Sequence, residues 1–497
     1  MSQHKVLILG VGERGLAMAR WCARQGMAVR VWDSREAPPG ADALRAEWPD
    51  AQLFSGELTR EHVEGIDRVL KSPGLAPHDH RIAPVLQEAR FRELPVQGEL
   101  DLFVQALAHL RQERDYQPKI LAITGTNGKT TTTAMAGLFV ERAGKSVAVA
   151  GNIGPTMLDT LTARIDDLPQ VWVLELSSFQ LDGVQGFEPD AATVLNVTQD
   201  HLDWHGSMDA YAAAKARIFG QRAVMVINAD DERVTAMVPV PAPVKGKAKP
   251  VEREVIRFGL EAPQRPGDFG LVVENGMAWL VRAMPADETI KRKKDEEEEI
   301  HLQRLMPADA LRVRGRHNAA NALAALALAT AIGCTLAPML HGLREYTGEP
   351  HRVQFVGSVG EVEAFDDSKG TNVGATVAAL DGLGADKAPA KLVVILGGDG
   401  KGQDFSPLAL PVQRHCRAVA TIGRDAPAIE AVLGGVALAR HETLQDAVEW
   451  CFRQALPGDA VLLSPACASL DMFRNYAHRA EVFVEAVQAL AADRGQA

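Results

Sequence analysis

The sequence has few cysteines and no long apolar run. Its 497 residues contain five cysteines, and no two of them form a CxxC pair. An odd number of cysteines without regular spacing argues against a disulfide framework and favours reduced thiols. A membrane helix needs about 18 consecutive apolar residues, which the chain lacks, and its first residues do not form a secretory signal. We therefore expect a cytoplasmic protein without membrane insertion.

An excess of positive charge is also absent. The formal net charge is −11, and an acidic surface repels the phosphates of DNA and RNA. Nucleic acid is therefore not an expected partner, although a small basic pocket on an acidic protein can still bind a nucleotide.

The length and the strand pattern together predict three α/β domains. At about 100–200 residues per domain, 497 residues correspond to roughly three domains. Residues 5–10, 119–125 and 391–397 each form a short apolar run that ends in glycine and precedes a helical pattern, which is typical of buried parallel strands in βαβ units. We predict a Rossmann-like domain over 1–115, a central P-loop ATPase-like domain with a mainly parallel sheet over 116–348, and a Rossmann-like α/β domain over 349–497.

The predicted boundaries follow helices and turn residues. A helix is predicted over 99–114, with a linker at 112–118, and a second helix over 319–332 precedes the boundary at 346–351. Within the central domain, about 239–300 reads as a charged insertion. Its runs at 239–250 and 287–299 are typical of solvated loops, with a functional basic patch as the alternative. A β-hairpin that turns at Asn275 and Gly276 is predicted between the two runs.

A glycine loop near the amino end resembles a dinucleotide fingerprint. Gly10, Gly12 and Gly15 lie between a strand and a helix, and Asp33 closes the next strand. Such a loop lets phosphates approach the helix amino terminus, and Asp33 can accept hydrogen bonds from a ribose. Three interpretations of this loop remain: it binds a uridine diphosphate group, it binds NAD, or it is a plain turn without a ligand. The carboxylate of Glu13 opposes phosphate binding, whereas Arg14 and Arg35 favour it.

The strongest chemical motif is a variant phosphate loop at 125–130. Gly125, Thr126, Asn127, Gly128, Lys129 and Thr130 follow a buried strand and precede a helix. Ile123 occupies the first glycine position of the general GxxxxGK[ST] pattern, so the loop is a shortened form. Backbone N–H groups would bind phosphates, Lys129 would contact the β and γ oxygens, and Thr130 would bind Mg²⁺. The alternative is a glycine-rich turn with an incidental lysine.

Three further side chains are candidates for metal or phosphate chemistry. Glu175 ends the apolar run 171–175, where an unpaired buried acid is costly unless a cation compensates it. His201 follows the strand at 193–196, and Lys215 lies on a helix predicted over 208–219. In isolation, each residue has a plain structural alternative: a strand-end acid, a packed histidine and an exposed helical lysine.

Together these stretches resemble the Mur ligases, which build the peptide of peptidoglycan. The matching stretches run through most of the chain; they are 125–130, 175–181, 196–201, 228–231, 316–321, 351–352, 367–372, 397–402 and 463–471. The resemblance is weakest over 239–300. Residues 72–74, 151–154, 175–181 and 464–471 are most similar to the D-glutamate-adding members of the family.

The resemblance implies a binding role for residues in each domain. The uridine diphosphate substrate would be held by Gly12, Arg14, Asp33, Arg35, Ser72, Gly74, Asn152 and Gln180. ATP would contact Gly125, Thr126, Asn127, Gly128, Lys129, Thr130, Thr131, Asn321, Arg352 and Asp367. D-glutamate would contact Lys369, Thr371, Lys401, Ser469, Leu470 and Tyr476, the last standing where phenylalanine is expected. Mg²⁺, as two ions, would be bound by Thr130, Glu175, His201 and a carbamylated Lys215, and the catalytic set would be Lys129, Glu175, His201 and Lys215.

The implied reaction is amide-bond formation through an acyl phosphate. UDP-N-acetylmuramoyl-L-alanine would be activated by ATP and joined to D-glutamate, by a monomer that takes only small-molecule substrates. The alternatives are another Mur ligase, a folylpolyglutamate synthetase-like ligase, an NAD-dependent oxidoreductase and a non-catalytic nucleotide switch. An oxidoreductase leaves the loops of Lys129 and Lys401 without a role, and the folate enzymes lack a UDP-binding amino-terminal domain.

Overall fold

The structure is a computed structural model and describes residues 4–240, 253–286, 299–313 and 315–493. The strands of these residues form three sheets. The charged runs predicted at 239–250 and 287–299 lie almost entirely outside the described residues.

The amino-terminal sheet has five parallel strands in the order β3-β2-β1-β4-β5. Its first strand is apolar and almost wholly buried, as the continuous run predicts. The elements are β1 (Lys5–Leu9), α1 (Glu13–Arg24), β2 (Ala28–Trp32), α2 (Ala41–Glu47), β3 (Gln52–Phe54), β4 (Arg68–Lys71), α3 (Ala83–Phe91), β5 (Val96–Gln97) and α4 (Glu99–Arg114).

The central sheet has nine strands and is parallel except at one edge. Its elements are β6 (Lys119–Thr124), α5 (Lys129–Arg142), β7 (Val147–Gly151), α6 (Met157–Ala163), β8 (Val171–Glu175), α7 (Ser178–Leu181), β9 (Ala191–Val194), α8 (Leu202–His205), α9 (Met208–Ala216), β10 (Val224–Asn228), α10 (Glu232–Thr235), β11 (Val255–Phe258), β12 (Phe269–Glu274), β13 (Met277–Pro285), β14 (Ile300–Pro307), α11 (Arg316–Ala331) and α12 (Leu336–Glu345). The strand order is β14-β13-β12-β11-β10-β9-β6-β8-β7, and β12 to β14 pair antiparallel.

Local sequence signals placed several central elements well. The predicted hairpin is confirmed, because β12 and β13 pair across Asn275 and Gly276, whose φ angles of 51° and 79° form a two-residue turn of the primed type. The helix predicted over 319–332 begins earlier, at Arg316. The helix that carries Lys215 ends at Ala216 and continues to Phe219 as a 3-10 turn.

The carboxyl-terminal sheet has six strands in the order β15-β16-β20-β17-β18-β19, parallel except for β15. Its elements are β15 (Gln354–Val359), β16 (Val362–Asp366), α13 (Val373–Lys387), β17 (Leu392–Gly397), α14 (Ala409–His415), β18 (Cys416–Ile422), α15 (Ala426–Val432), β19 (Ala437–Arg440), α16 (Leu444–Gln454), β20 (Ala460–Leu463) and α17 (Tyr476–Asp493). The predicted α/β class with mainly parallel sheets is confirmed.

The amino-terminal and central sheets share an apolar core, whereas the carboxyl-terminal sheet has apolar clusters of its own. One continuous buried cluster runs from Val6 and Ile8 through α4 to Ala122 and Trp172, so the amino-terminal and central sheets share a core. Two other clusters cover the faces of the carboxyl-terminal sheet and contain only residues of that region. Within the described ranges, no helix is long and apolar enough to cross a bilayer.

Candidate active site

The amino-terminal glycine loop lines a cavity of about 250 Å³. The cavity contains six of the predicted uridine diphosphate residues: Gly12, Arg14, Asp33, Arg35, Ser72 and Gly74. Gly15 is required by packing, since a Cβ there would lie 1.9 Å from the carbonyl oxygen of Gly10. This close approach brings the start of α1 against the end of β1.

Asp33 organises this cavity through hydrogen bonds that the sequence did not reveal. Its carboxylate accepts from the backbone N–H groups of Val11 (2.9 Å) and Arg35 (3.0 Å) and from the Arg35 guanidinium at 2.8 and 2.9 Å. Burial opposes ionisation, but these donors prevail and lower the pKa of Asp33 to about 2. Both carboxylate oxygens are therefore engaged within the protein, and Arg35 is held at the mouth of the cavity.

A second, smaller cavity of about 200 Å³ adjoins the first through Pro73, which lines both. Gln180 reaches it from the central sheet, with its side-chain oxygen accepting from the Ser177 N–H at 3.0 Å. The Gln180 Nε2 group is buried and has no partner among the described residues. An unpaired buried donor at a cavity wall suits a polar ligand.

The phosphate loop between β6 and α5 holds Lys129 in a compact arrangement. The Lys129 ammonium donates to the carbonyl oxygens of Gly125 (3.0 Å) and Thr126 (2.8 Å). Gly128 has a φ of +84°, and a Cβ there would lie 2.4 Å from the Asn321 side-chain oxygen. The loop therefore requires glycine where Asn321 of α11 contacts it.

Glu175, at the carboxyl end of β8, presents one free carboxylate oxygen. The side chain is 1% exposed, and its Oε1 accepts from Asn152 Nδ2 at 2.9 Å. Its Oε2 is buried and has no hydrogen-bond partner among the described residues. An unpaired buried carboxylate oxygen is stable when a cation faces it.

His201 lies beside Asp200, which the sequence analysis did not single out. Asp200 Oδ2 is 3.5 Å from His201 Nε2, and Asp200 Oδ1 is 3.9 Å from the Lys401 ammonium. Burial lowers the pKa of His201 to about 4, with Asp200 opposing the shift and Lys401 and Lys129 adding to it. The imidazole is therefore neutral at pH 7 and has a lone pair for a metal ion.

Lys215 is buried, which excludes the exposed alternative for this helical lysine. Its ammonium nitrogen is 2.7 Å from the Gly125 carbonyl oxygen and 4.5 Å from the centre of the Tyr211 ring. Burial, followed by the charge of Lys129, lowers the pKa of Lys215 well below its ordinary value. A lowered pKa favours the neutral amine, which is the form that is nucleophilic towards carbon dioxide, so the site suits carbamylation.

A cavity of about 310 Å³ lies between the phosphate loop, α11 and α13. Its lining includes six predicted ATP residues: Asn127, Gly128, Thr131, Asn321, Arg352 and Asp367. Arg352 crosses from the carboxyl-terminal side and donates to the Thr130 hydroxyl at 3.0 Å. Asp367 is buried, which raises its pKa to about 7 although Ser464 donates to it at 2.6 Å.

The backbone next to several predicted site residues adopts the left-handed region. His351 and Val353, which flank Arg352, have φ angles of 63° and 47°, while those of His201 and Lys401 are 53° and 52°. This conformation is costly for a β-branched residue such as Val353. Such strain occurs at functional sites when the surroundings enforce it.

The predicted D-glutamate residues are only partly brought together. The Lys369 ammonium lies 5.5 Å from the Tyr476 ring centre, and Ser469 is buried, whereas Leu470 is 72% exposed. Burial lowers the pKa of Lys369, and the charges of Arg352 and Glu175 also act on this group. Lys369 and Lys129 of the phosphate loop therefore interact with the same two charged groups, Glu175 and Arg352.

The predicted Mg²⁺ site has few protein ligands, which suits an ion whose coordination shell is completed by phosphates and water. No cluster of three or more His, Cys, Asp or Glu residues suited to a metal ion occurs in the described part of the chain. Glu175 Oε2 has no hydrogen-bond partner among the described residues, and the His201 imidazole is neutral, so both suit a metal ion, whereas the Thr130 hydroxyl accepts from Arg352 at 3.0 Å. Mg²⁺ characteristically takes one or two protein ligands and completes its shell with phosphates and water.

Several residues of the site escaped the sequence analysis. Asn127 exchanges side-chain hydrogen bonds with Asn372 at 2.9 and 3.2 Å, which joins the central and carboxyl-terminal regions. Tyr211 contacts Thr126 Oγ1 at 3.2 Å, and the fully buried Arg479 donates to the carbonyls of Cys467 and Ser368. Asp200 stands next to His201 in the sequence, which was a usable signal, whereas the partners of Asn372 and Arg479 are too distant in sequence to be guessed.

Comparisons with protein families match three successive regions of the chain. Residues 4–97 match the Mur ligase MurD-like N-terminal domain, residues 123–329 the Mur ligase middle domain, and residues 351–467 the Mur ligase glutamate ligase domain. The matched regions include the glycine loop, the phosphate loop, and the loops of Lys369 and Lys401.

Individual relatives agree with the family matches. A UDP-N-acetylmuramoylalanine–D-glutamate ligase of Albidiferax ferrireducens is 60% identical over 100% of this chain and 98% of its own length. The ligase of the same name from Burkholderia mallei is 58% identical over 99% of this chain and 98% of its own. The crystal structure of MurF ligase from Thermotoga maritima in complex with ADP shares the fold, with a TM-score of 0.59 and 16% identity over 99% of this chain and 96% of that one. The chain therefore belongs to the Mur ligase family and to its MurD-like branch.

Proposed function

We propose that the chain is a cytoplasmic, ATP-dependent ligase that adds D-glutamate to UDP-N-acetylmuramoyl-L-alanine, with release of ADP and phosphate, in peptidoglycan precursor synthesis. The names of its relatives at 58–60% identity over nearly the whole chain support this reaction. We further propose that it acts as a monomer in three domains, 1–115, 116–348 and 349–497.

One structural observation carries the proposal: cationic side chains from the central and carboxyl-terminal regions lie close enough to interact electrostatically with Glu175. Lys129 and Lys369 each interact with the negative charge of Glu175, and both also interact with the positive charge of Arg352. The chain as a whole has a net charge of −11. A local cluster of this kind in an acidic protein suits a ligand with several negative charges, such as a nucleoside triphosphate beside a carboxylate.

The first chemical step would be phosphoryl transfer to the alanine carboxylate. A carboxylate oxygen attacks the γ-phosphorus of ATP, the bond from that phosphorus to the β,γ-bridging oxygen breaks, and ADP leaves. Lys129 and Arg352 would neutralise charge on the phosphates, because both lie at the phosphate loop and no covalent help from the protein is needed. Mg²⁺, held by Thr130, Glu175, His201 and a carbamate on Lys215, would supply further charge stabilisation and alignment.

The second step would join the amino acid. The uncharged amine of D-glutamate attacks the acyl carbon, phosphate leaves with the bridging oxygen, and the extra amine proton passes to solvent or to phosphate. Lys369 and Lys401 would pair with the two glutamate carboxylates, which offsets the cost of removing them from water. Thr371, Ser469, Leu470 and Tyr476 would form the rest of this pocket, with the Tyr476 ring packed beside Lys369.

Substrate choice provides the test of the proposed reaction. With UDP-N-acetylmuramoyl-L-alanine and MgATP present, ADP release should require D-glutamate and should stay at background with L-lysine, meso-diaminopimelate or L-alanine. A coupled ADP assay with each amino acid in turn measures this, and mass spectrometry of the product confirms the added residue. Turnover with one of the other amino acids would instead assign the chain to a different ligase activity.

The uridine diphosphate cavity leads to a prediction for Asp33. Replacement by asparagine should raise the KM for the UDP-substrate by about tenfold and leave kcat nearly unchanged, because an amide holds Arg35 less strongly than a carboxylate does. Initial-rate kinetics measure the split. A fall in kcat with an unaltered KM would contradict the assignment of this cavity to substrate binding.

The lowered pKa of Asp33 also fixes the sign of a pH effect. Because the pKa is about 2 in the folded protein and near 3.9 in an unfolded chain, the stabilisation is fully present above about pH 4 and is lost as the pH falls towards 2. Thermal unfolding between pH 6 and pH 3 should therefore show a smaller decrease in Tm for Asp33→Asn than for the unaltered protein.

A further inference from the structure

Arg14 lies in the amino-terminal glycine loop, but its guanidinium is directed at the central sheet. Its Nη2 group donates to the Asn152 carbonyl at 2.6 Å and lies 3.4 Å from both the Gly151 carbonyl and the Asn152 side-chain oxygen. Its Nε is 4.0 Å from Glu99 Oε2, and the side chain is 20% exposed. Arg14 therefore connects the first turn of α1 with the carboxyl end of β7.

Asn152 in turn fixes the position of Glu175. The Asn152 N–H donates to the Glu175 carbonyl at 2.6 Å, and its Nδ2 donates to Glu175 Oε1 at 2.9 Å. Gly151, with a φ of +120°, allows this approach, since a Cβ there would lie 2.2 Å from the Glu175 carbonyl oxygen. Asn152 thereby holds Oε1, while Oε2 has no hydrogen-bond partner among the described residues.

We propose that Arg14 is a positioning residue that couples occupation of the amino-terminal glycine loop to the placement of the Glu175 carboxylate. Through Arg14 and Asn152, a phosphate bound at the loop restricts the first turn of α1, and this restriction orients the oxygen of Glu175 that faces the nucleotide. The inference rests on the proposed function, because it assigns the loop to the UDP-substrate and Glu175 to the metal–nucleotide side.

The same helix offers a matched control. Arg20 of α1 also reaches the central region, where its Nη1 is 3.2 Å from Asp159 Oδ2 of α6, and it pairs with Glu47 as well. Among the described residues, its hydrogen bonds and ion pairs go to Glu47 and Asp159 and not to Gly151, Asn152 or Glu175. If α1 arginines only hold the two regions together, Arg14→Leu and Arg20→Leu should behave alike.

The expected kinetic result separates the two variants. Arg14→Leu should lower kcat by about tenfold or more, since partners that orient a metal-ligating group typically contribute 10–100-fold. At saturating MgATP, its KM for the UDP-substrate should rise by about the factor by which the coupling falls, because coupling between two ligands is reciprocal. Arg20→Leu should keep both constants within about twofold. Arg14→Lys, which keeps the charge but loses the planar fork, should lie between Arg14→Leu and the unaltered protein.

A binding measurement tests the coupling without turnover. The affinity of β,γ-methylene-ATP with Mg²⁺ is measured by calorimetry, with and without saturating UDP-N-acetylmuramoyl-L-alanine. We expect the UDP-substrate to strengthen nucleotide binding by about fivefold or more in the unaltered protein and in Arg20→Leu, and to have little effect in Arg14→Leu. Equal coupling in all three proteins, or none in the unaltered one, would overturn the proposal.

Two controls keep the outcomes separate. Thermal unfolding of each variant is recorded first, and Arg14→Lys replaces Arg14→Leu in the comparison if the latter is not folded. ADP release with D-glutamate is measured on the unaltered preparation. Its absence would refute the proposed function, whereas normal release together with an unaffected Arg14 variant would refute this inference alone.

Discussion

Replacement of Lys129 by alanine is expected to reduce the rate of ADP formation by about 10³-fold or more. A buried cation beside the phosphoryl group that is transferred stabilises the transition state by an amount on this scale. The Lys129 ammonium donates hydrogen bonds to two carbonyl oxygens of its own loop and interacts electrostatically with Glu175 and Arg352. No other lysine lies on the described residues of the phosphate loop, 125–130. The loss should therefore appear in kcat and not be recovered at high ATP.

Binding of the UDP-substrate should survive the Lys129 change, since its cavity lies on the amino-terminal sheet. Calorimetry with UDP-N-acetylmuramoyl-L-alanine alone measures this beside a phosphate-release assay. Lys119→Ala is a suitable control because Lys119 begins the same strand, β6, and pairs with Asp190 at the opposite end of that strand from the loop. Turnover of Lys129→Ala within about tenfold of the Lys119→Ala value would contradict the loop assignment.

Replacement of Lys215 by alanine is expected to lower turnover by more than about 100-fold, which is the scale for loss of a group that orients a metal. Burial lowers the pKa of Lys215, which favours the neutral amine in a buried site beside the Gly125 carbonyl. Attack of that amine on carbon dioxide, with loss of one proton from the nitrogen to solvent, would give a carbamate, whose negative charge offsets the positive charges of Lys129 and its neighbours. An uncharged alanine supplies neither the charge nor the metal-side oxygens.

Rescue by short carboxylates distinguishes a carbamate on Lys215 from a role of Lys215 as a positive charge. Acetate or formate should partly restore activity to Lys215→Ala, and Lys215→Arg should be as inactive as the alanine variant because a guanidinium does not form a carbamate. In the unaltered protein, ¹³C-bicarbonate should give a carbamate signal in NMR that Lys215→Arg lacks. Full activity of Lys215→Arg would rule out the carbamate role.

The sequence alone predicted the fold class and most of the element positions. Continuous apolar runs placed β1, β6 and β8, and apolar residues at helical spacing placed α4 over its full length from Glu99 to Arg114. These signals are local, so they survive without knowledge of the tertiary structure. Of the antiparallel edge, the sequence predicted the hairpin of β12 and β13 but not β14. A highly charged run separates β13 from β14 in the sequence and hid their pairing.

The sequence motifs named candidate site residues but not the orientations of their side chains. Motifs named Asp33 and Arg14, yet the Asp33 carboxylate accepts from the N–H of Val11, 22 residues away, and Arg14 donates to Asn152, 138 residues away. Contacts over such distances depend on how the sheets pack. The left-handed backbone at Val353 likewise opposes local preference and is set by tertiary contacts.

Only the structure shows that the amino-terminal and central sheets pack against each other through a shared apolar core. Their shared apolar cluster contrasts with the polar links between the central and carboxyl-terminal regions: Asn127 to Asn372, Thr130 to Arg352, and Asp200 to Lys401. These links join the predicted ATP residues to the predicted amino-acid residues. Composition and periodicity carry no information about such pairings.

Isotope transfer tests the central chemical claim most directly. UDP-N-acetylmuramoyl-L-alanine labelled with ¹⁸O in the alanine carboxylate is incubated with the protein, MgATP and D-glutamate, and the released phosphate is examined by mass spectrometry. If the carboxylate attacks the γ-phosphorus, each phosphate released should carry one oxygen atom from the carboxylate. Phosphate that is formed together with the amide product but contains no ¹⁸O would contradict the acyl-phosphate route.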